Sequence, residues 1–169
     1  MTNISPCILG IDPGLGVTGY AVLSVKLRVA RVLEAGVIKT NKKYSLGDRL
    51  VEIRDGIEGI ILEYNPVAMA IEQLFSHYKH PRTAIAMGHA RGVLLESAAR
   101  HGLEIESIAP KQAKKTITGS GSADKSQMQR AMLVELALNQ MPEPPDVADA
   151  LAIALCLHHL RLNMQEENP

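Results

Sequence analysis

The hydrophobic period of this chain changes between Thr40 and Leu46, and that change limits the folds open to it. Before it lie three segments with strand character: Pro6–Asp12 (PCILGID), a buried apolar run; Thr18–Val25; and Arg31–Thr40, which alternates polar and apolar residues. Two short connections join them, so they read as an antiparallel meander. After it, Leu46, Leu50, Ile53, Ile57, Ile60 and Tyr64 recur every three or four residues, the spacing of one apolar helix face. Ser45 and Asp48 form a capping pair at its start, and Asn65-Pro66 ends it.

The remainder alternates. Val67–Glu72 reads as a buried strand, Arg82–Arg100 as an Ala- and Gly-rich helix, and Leu103–Ala109 as a last strand. Helices are expected at Lys111–Ile117, Ser122–Asn139 and Asp146 to about Leu162. Gly88 and Gly92 imply close packing of the second helix against the sheet or a partner helix. ALAIALCL is apolar nearly all round, so the last helix should be buried. The sum is a mixed α/β layer fold with a meander at its front. A chain of 169 residues suits a single domain, expected over 1–163 with a short C-terminal tail at 164–169.

GLGVTG at residues 14–19 matches the dinucleotide-binding fingerprint, which requires a strand before the glycines and a helix after them. Here YAVLSV follows, β-branched and without helical period. The glycines therefore belong to a tight strand-to-strand turn, and the dinucleotide reading fails. Cys7 and Cys156 both sit in apolar runs and read as buried free thiols of a reducing compartment. With no visible leader and no apolar run long enough to span a bilayer, a cytoplasmic protein is expected. Formal net charge is zero, and residues 77–130 concentrate bases, readable either as a basic face or as solvated helix surfaces.

Four acids border segments predicted to be buried: Asp12 ends CILGID, Glu72 ends VAMAIE, and Asp146 and Asp149 open PDVADALAIAL. Each has a structural explanation, as turn opener, sheet edge, helix cap or first-turn acid. If the first and fourth strands are parallel neighbours, Asp12 and Glu72 stand side by side. The i, i+3 spacing puts Asp146 and Asp149 on one helix face. Two carboxylates ~4 Å apart repel by about 4 kcal/mol at an effective dielectric near 20, so such a cluster calls for cations. Hard oxygen donors without a His or Cys set point to Mg²⁺ or Mn²⁺, and two such ions can cut a phosphodiester.

The stretches GIDPGLGVTGYAV, AIEQLF, MGHARGVLL, KKTITGSGSADKSQMQ and DVADALAIAL, in this order and at these intervals, resemble the RuvC family of Holliday junction resolvases. The resemblance runs from residue 8 to about 160. It implies a ribonuclease-H-like fold: five strands, the second antiparallel, with helices on both faces. It implies that Asp12, Glu72, Asp146 and Asp149 are the metal-binding catalytic acids, served by two Mg²⁺ ions for which Mn²⁺ substitutes. It further implies a homodimer that nicks two opposed strands of a four-way DNA junction, leaving 5′-phosphate and 3′-hydroxyl ends, and that works with the RuvA–RuvB branch-migration complex.

By the same resemblance Phe75, the only Phe, contacts bases at the crossover, and Arg82, Lys114 and Lys125 are DNA contacts, with Lys115 an alternative to Lys114. His158 and His159 read as surface residues near a helix end. The neutral charge and acidic QEENP terminus depart from a family that is commonly basic. Two other readings compete: an ATP-binding domain of the actin and sugar-kinase type, which needs a second domain, and a junction-binding protein without catalysis.

Overall fold

The computed structural model describes residues 6–26, 28–74 and 81–167, with side chains through Met164. Ten elements follow in chain order: β1 (Cys7–Asp12), β2 (Val17–Lys26), β3 (Val29–Lys39), α1 (Leu46–Tyr64), β4 (Ala68–Glu72), α2 (Pro81–Arg100), β5 (Glu104–Ile108), α3 (Pro110–Thr118), α4 (Lys125–Glu135) and α5 (Pro145–Glu167). The strands form one sheet in the order β3-β2-β1-β4-β5. β2 runs antiparallel to both its neighbours, and β1, β4 and β5 are parallel. The meander, the helix–strand alternation and the antiparallel second strand all match the sequence reading.

Period-two alternation divides the sheet into two faces. Cys7, Leu9, Ile11, Met69 and Ile71 pack against Ile53, Ile57 and Ile61 of α1 and Ala90, Leu94 and Ala98 of α2. Ile8, Ala21, Leu23, Ala68 and Ala70 face the opposite way, onto α5. Every residue of Ala150–Leu157 is buried, as expected of a helix apolar all round. Small residues line both sides of this contact, and α5 lies unusually close to the sheet. A methyl group at Gly10 would overlap the backbone of Ala150 and Ala154, and one at Gly19 would overlap the carbonyl of Asp146. The glycine of the opening motif that matters most is therefore the one that admits the start of α5.

The turn between β1 and β2 is fastened on both sides. The buried Thr18 hydroxyl donates to the Gly14 carbonyl at 2.7 Å. Arg49 of α1 donates to the Leu15 carbonyl and to the Thr40 hydroxyl, which itself donates to Leu15. Ser45 caps α1 by accepting from the Asp48 amide, and Asn65 ends it in the left-handed conformation.

Five details differ from expectation. The buried stripe of α1 is centred on Ile53, Ile57 and Ile61, and Leu46 at its start is 44% exposed. Gly88 and Gly92 meet nothing within 4 Å: they line a shallow surface groove between α1 and α2 and do not pack against the sheet. α4 begins at Lys125, because Asp124 rather than Ser122 caps it, in a reciprocal capping box with Gln127. α5 runs past Leu162 to Glu167. That extension puts His158 well inside the helix, where it is 4% exposed and its Nε2 lies 3.3 Å from the Arg28 carbonyl oxygen. Burial lowers its pKa. His159 pairs with Glu135. Neither histidine is the helix-end surface residue that was expected. Cys7 and Cys156 are buried free thiols, as predicted.

Candidate active site

The site grows out of strand register. β1 and β4 pair in parallel with Ile11 opposite Ile71, so the next residues, Asp12 and Glu72, end adjacent strands side by side. Ile11 and Ile71 point to the α1/α2 face, and alternation turns Asp12 and Glu72 to the α5 face. There α5 begins. Asp12 pairs with Gly19 across the β1–β2 ladder, and Gly19 lies against the Asp146 backbone. The missing side chain at Gly19 thus brings the first turn of α5 over the strand ends. The positive end of the α5 dipole points toward the acids there.

Electrostatics record the crowding. Asp12 is pushed up to about 8, by burial first and then by the charges of Glu72, Asp149 and Asp146. Burial also raises Glu72, and Asp149 adds to the rise, while a hydrogen bond with Asp12 opposes it. That bond raises Asp12 and lowers Glu72. Asp149 stands exposed at the mouth of the site, yet partial desolvation raises it. Lys125 pulls it back down, and Asp146 opposes Lys125. The four acids therefore share one electric field. Among the described residues no group of three or more His, Cys, Asp or Glu side chains is arranged to hold a metal ion.

The donor chemistry fits a hard divalent cation. All four acids present carboxylate oxygens, and Lys125 is the cation that relieves one of them. Beside them opens a cavity of about 340 Å³, lined among others by Glu72, Asp149, Lys114 and Lys125. Lys115 does not line it, so of the two candidates Lys114 faces the site. Arg82 is exposed at the start of α2 and does not line this cavity. Phe75 lies outside the described residues.

One contributor, Arg91, reads from the sequence only as a family basic position, second to Arg82 as a DNA contact. Arg91 reaches from α2 to the sheet end, donating from Nε to the Glu72 carbonyl at 3.1 Å and from Nη2 to the Ser107 hydroxyl at 2.7 Å. It ties the last residue of β4 to β5 beneath the Glu72 side chain. The sequence signal available was only one of three arginines spaced along an Ala-rich helix. Arg91→Met keeps the aliphatic stem and removes the clamp, leaving a charge-assisted acceptor unpaired at about 1–3 kcal/mol. We expect this variant to fold, to bind DNA as the parent does and to cut more slowly. Cutting at the parental rate would mean that β4 needs no clamp.

Comparison with known proteins agrees with this fold. The family model described as crossover junction endodeoxyribonuclease RuvC matches residues 8–158. A crossover junction endodeoxyribonuclease RuvC of Rhodopirellula baltica is 52% identical over 157 residues, covering 93% of this chain and 88% of its own. T. thermophilus RuvC, solved in complex with Holliday junction substrate, superposes with a TM-score of 0.89 at 31% identity, over 94% of this chain and 96% of that one. The yeast mitochondrial Holliday junction resolvase Ydc2 superposes with a TM-score of 0.70 at 14% identity, over 96% and 81%, which extends the likeness in fold alone. The five-stranded mixed sheet with helices on both faces is thus the ribonuclease-H-like fold. These relatives do not favour the ATP-binding or the non-catalytic alternative. From the order of its strands, the acids gathered at their ends and a match spanning nearly its full length, the chain belongs to the RuvC family of crossover junction endodeoxyribonucleases.

Proposed function

We propose that this protein resolves four-way DNA junctions by metal-dependent hydrolysis at the carboxylate site. The observation that carries the reading is the shared field of Asp12, Glu72, Asp146 and Asp149, in a chain matched to the family over residues 8–158. Asp12, Glu72, Asp146 and Asp149 would hold Mg²⁺, or Mn²⁺ in its place. Such ions supply an activated water and stabilise the leaving oxygen of a phosphodiester.

The chain's own residues do the rest. Asp12, pushed up to about 8, would have to give up its proton for a cation to bind there. Lys125 compensates Asp149 and, with Lys114, lines the cavity where the phosphodiester of the strand being cut would lie. Lysines there hold the phosphate by charge, as phosphate contacts generally position rather than specify. Arg82, at the exposed start of α2, and Phe75 would contact the junction arms and the crossover bases. The protein would act as a homodimer, each copy nicking one of two opposed strands to leave 5′-phosphate and 3′-hydroxyl ends, in company with the RuvA–RuvB motor. No helix among the described residues is long and apolar enough to cross a membrane, and the work proposed lies in the cytoplasm.

Metal binding is testable without DNA. A ligand that binds only the folded state stabilises it by about 2.7 kcal/mol when present at 100 times its Kd. Mg²⁺ should raise the melting temperature at pH 8. It should do far less at pH 5, where Asp12, pushed up to about 8, keeps its proton. A melting temperature at pH 8 that ignores both Mg²⁺ and Mn²⁺ would contradict the assignment.

A further inference from the structure

The cavity beside the carboxylates is larger than a phosphate needs, and most of its wall is not polar. Its volume of about 340 Å³ falls within the ~300–1,000 Å³ of small-ligand pockets. Lys125 and Asp149 are exposed and stand at its opening, whereas Met128, Met132, Ala148 and Ile153 are buried and form its floor. Methionine is adaptable and makes favourable sulfur contacts with aromatic rings. Gln129 of α4 also lines this recess, half-buried, and its amide makes no hydrogen bond to another described residue. Glu143 lines it too, and that carboxylate disfavours an anion in the apolar part. What fits is a flat, uncharged, aromatic group with polar edges, joined to a phosphate that the two lysines can hold.

We propose that this recess takes an unpaired nucleobase of the strand being cut, and that Gln129 reads it. The proposal rests on the carboxylates being the cutting site. A phosphodiester between the acids and the lysines leaves the neighbouring base beside the recess mouth. A base freed from its partner can turn into a snug pocket and present its edges. A glutamine amide offers both a donor and an acceptor, the pair used to distinguish one base from another. Gln129 is thus a specificity-determining residue, and the methionine floor is the surface on which the ring rests.

The test uses synthetic four-way junctions in which each nucleotide flanking the mapped nick is changed in turn to each base or to an abasic sugar. With the unmodified protein, one flanking position should carry a preference of about tenfold or more between bases, the discrimination typical of a well-placed amide contact. An abasic sugar at that position should slow cutting to a similar extent. Gln129→Ala should bring the rates for the four bases within about threefold of one another and remove the sensitivity to the abasic sugar. Should Gln129→Ala melt at a lower temperature than its parent, the abasic series with the unmodified protein decides. A parental preference retained by a normally folded Gln129→Ala overturns the proposal, as does cutting by the unmodified protein that is indifferent to every flanking base. Failure of the unmodified protein to cut any junction overturns the carboxylate reading, and the recess proposal falls with it.

Discussion

Asp12→Asn should abolish junction cutting, leave junction binding measurable and make the metal-free protein more stable at pH 8. Asparagine keeps the shape of Asp12 and removes the charge that a cation would need. Loss of a factor of a thousand or more in rate corresponds to about 4 kcal/mol or more of transition-state stabilisation. The gain in stability follows from the raised pKa. Asp12 holds its proton up to about pH 8 in the folded chain, against an ordinary value of 3.8. The folded state therefore binds the proton more tightly than the unfolded state does. That advantage is fully present below pH ~4 and is lost as the pH rises through ~8. At 1.36 kcal/mol per pKa unit, the ionised form carries a penalty of roughly 5 kcal/mol, shared among the interacting acids. A neutral side chain escapes this penalty. Thermal melts at pH 5 and pH 8, alongside nicking and gel-shift assays, check all three parts. Parental cutting by Asp12→Asn in Mg²⁺ would remove Asp12 from the site.

Gly19→Ala should cost both fold and activity. The added methyl group would overlap the Asp146 carbonyl, a backbone atom that cannot swing aside. Either β2 or the first turn of α5 must move. Overpacking of this kind costs about 3 kcal/mol. For a chain of this length that lowers the melting temperature by roughly 6 °C or more. Because the displaced turn carries Asp146 and Asp149, cutting should fall further than the loss of folded protein accounts for. Gly59→Ala is the control: Gly59 lies exposed within α1 with nothing within 4 Å of the new carbon. Relieving a helix-interior glycine should stabilise by about 0.5–1 kcal/mol. A Gly19→Ala protein that melts and cuts like its parent would show that α5 does not depend on this close approach.

The strand order and the placement of the acids could be read from the sequence because both follow from local pattern. CILGID and VAMAIE are buried runs ending in acids, and parallel pairing with period-two alternation turns Asp12 and Glu72 to one face. The start of α5 was equally legible from PDVADALAIAL, whose apolar run had to be covered. What stayed hidden depends on contacts between distant segments. Gly19 looked like part of a hairpin motif, and its partner is the Asp146 backbone near the other end of the chain. Arg91 looked like one base among many until its bonds to Glu72 and Ser107 were visible. His158 was misread because its environment is set by the Arg28 carbonyl and by a helix longer than the pattern implied. Gly88 and Gly92 carried a signal for close packing that the sheet does not use, since both face a surface groove.

The central claim is that the gathered carboxylates cut four-way junctions with the help of a divalent cation. Mapping nicks on a synthetic four-way junction, with Mg²⁺ and with chelator, against a linear duplex of the same sequence, tests it most directly. The account predicts paired nicks at matching positions on two opposed strands of the junction, ends that ligase reseals, no cutting in chelator and little on the duplex. Equal cutting of junction and duplex, or nicking that persists in chelator, would contradict it.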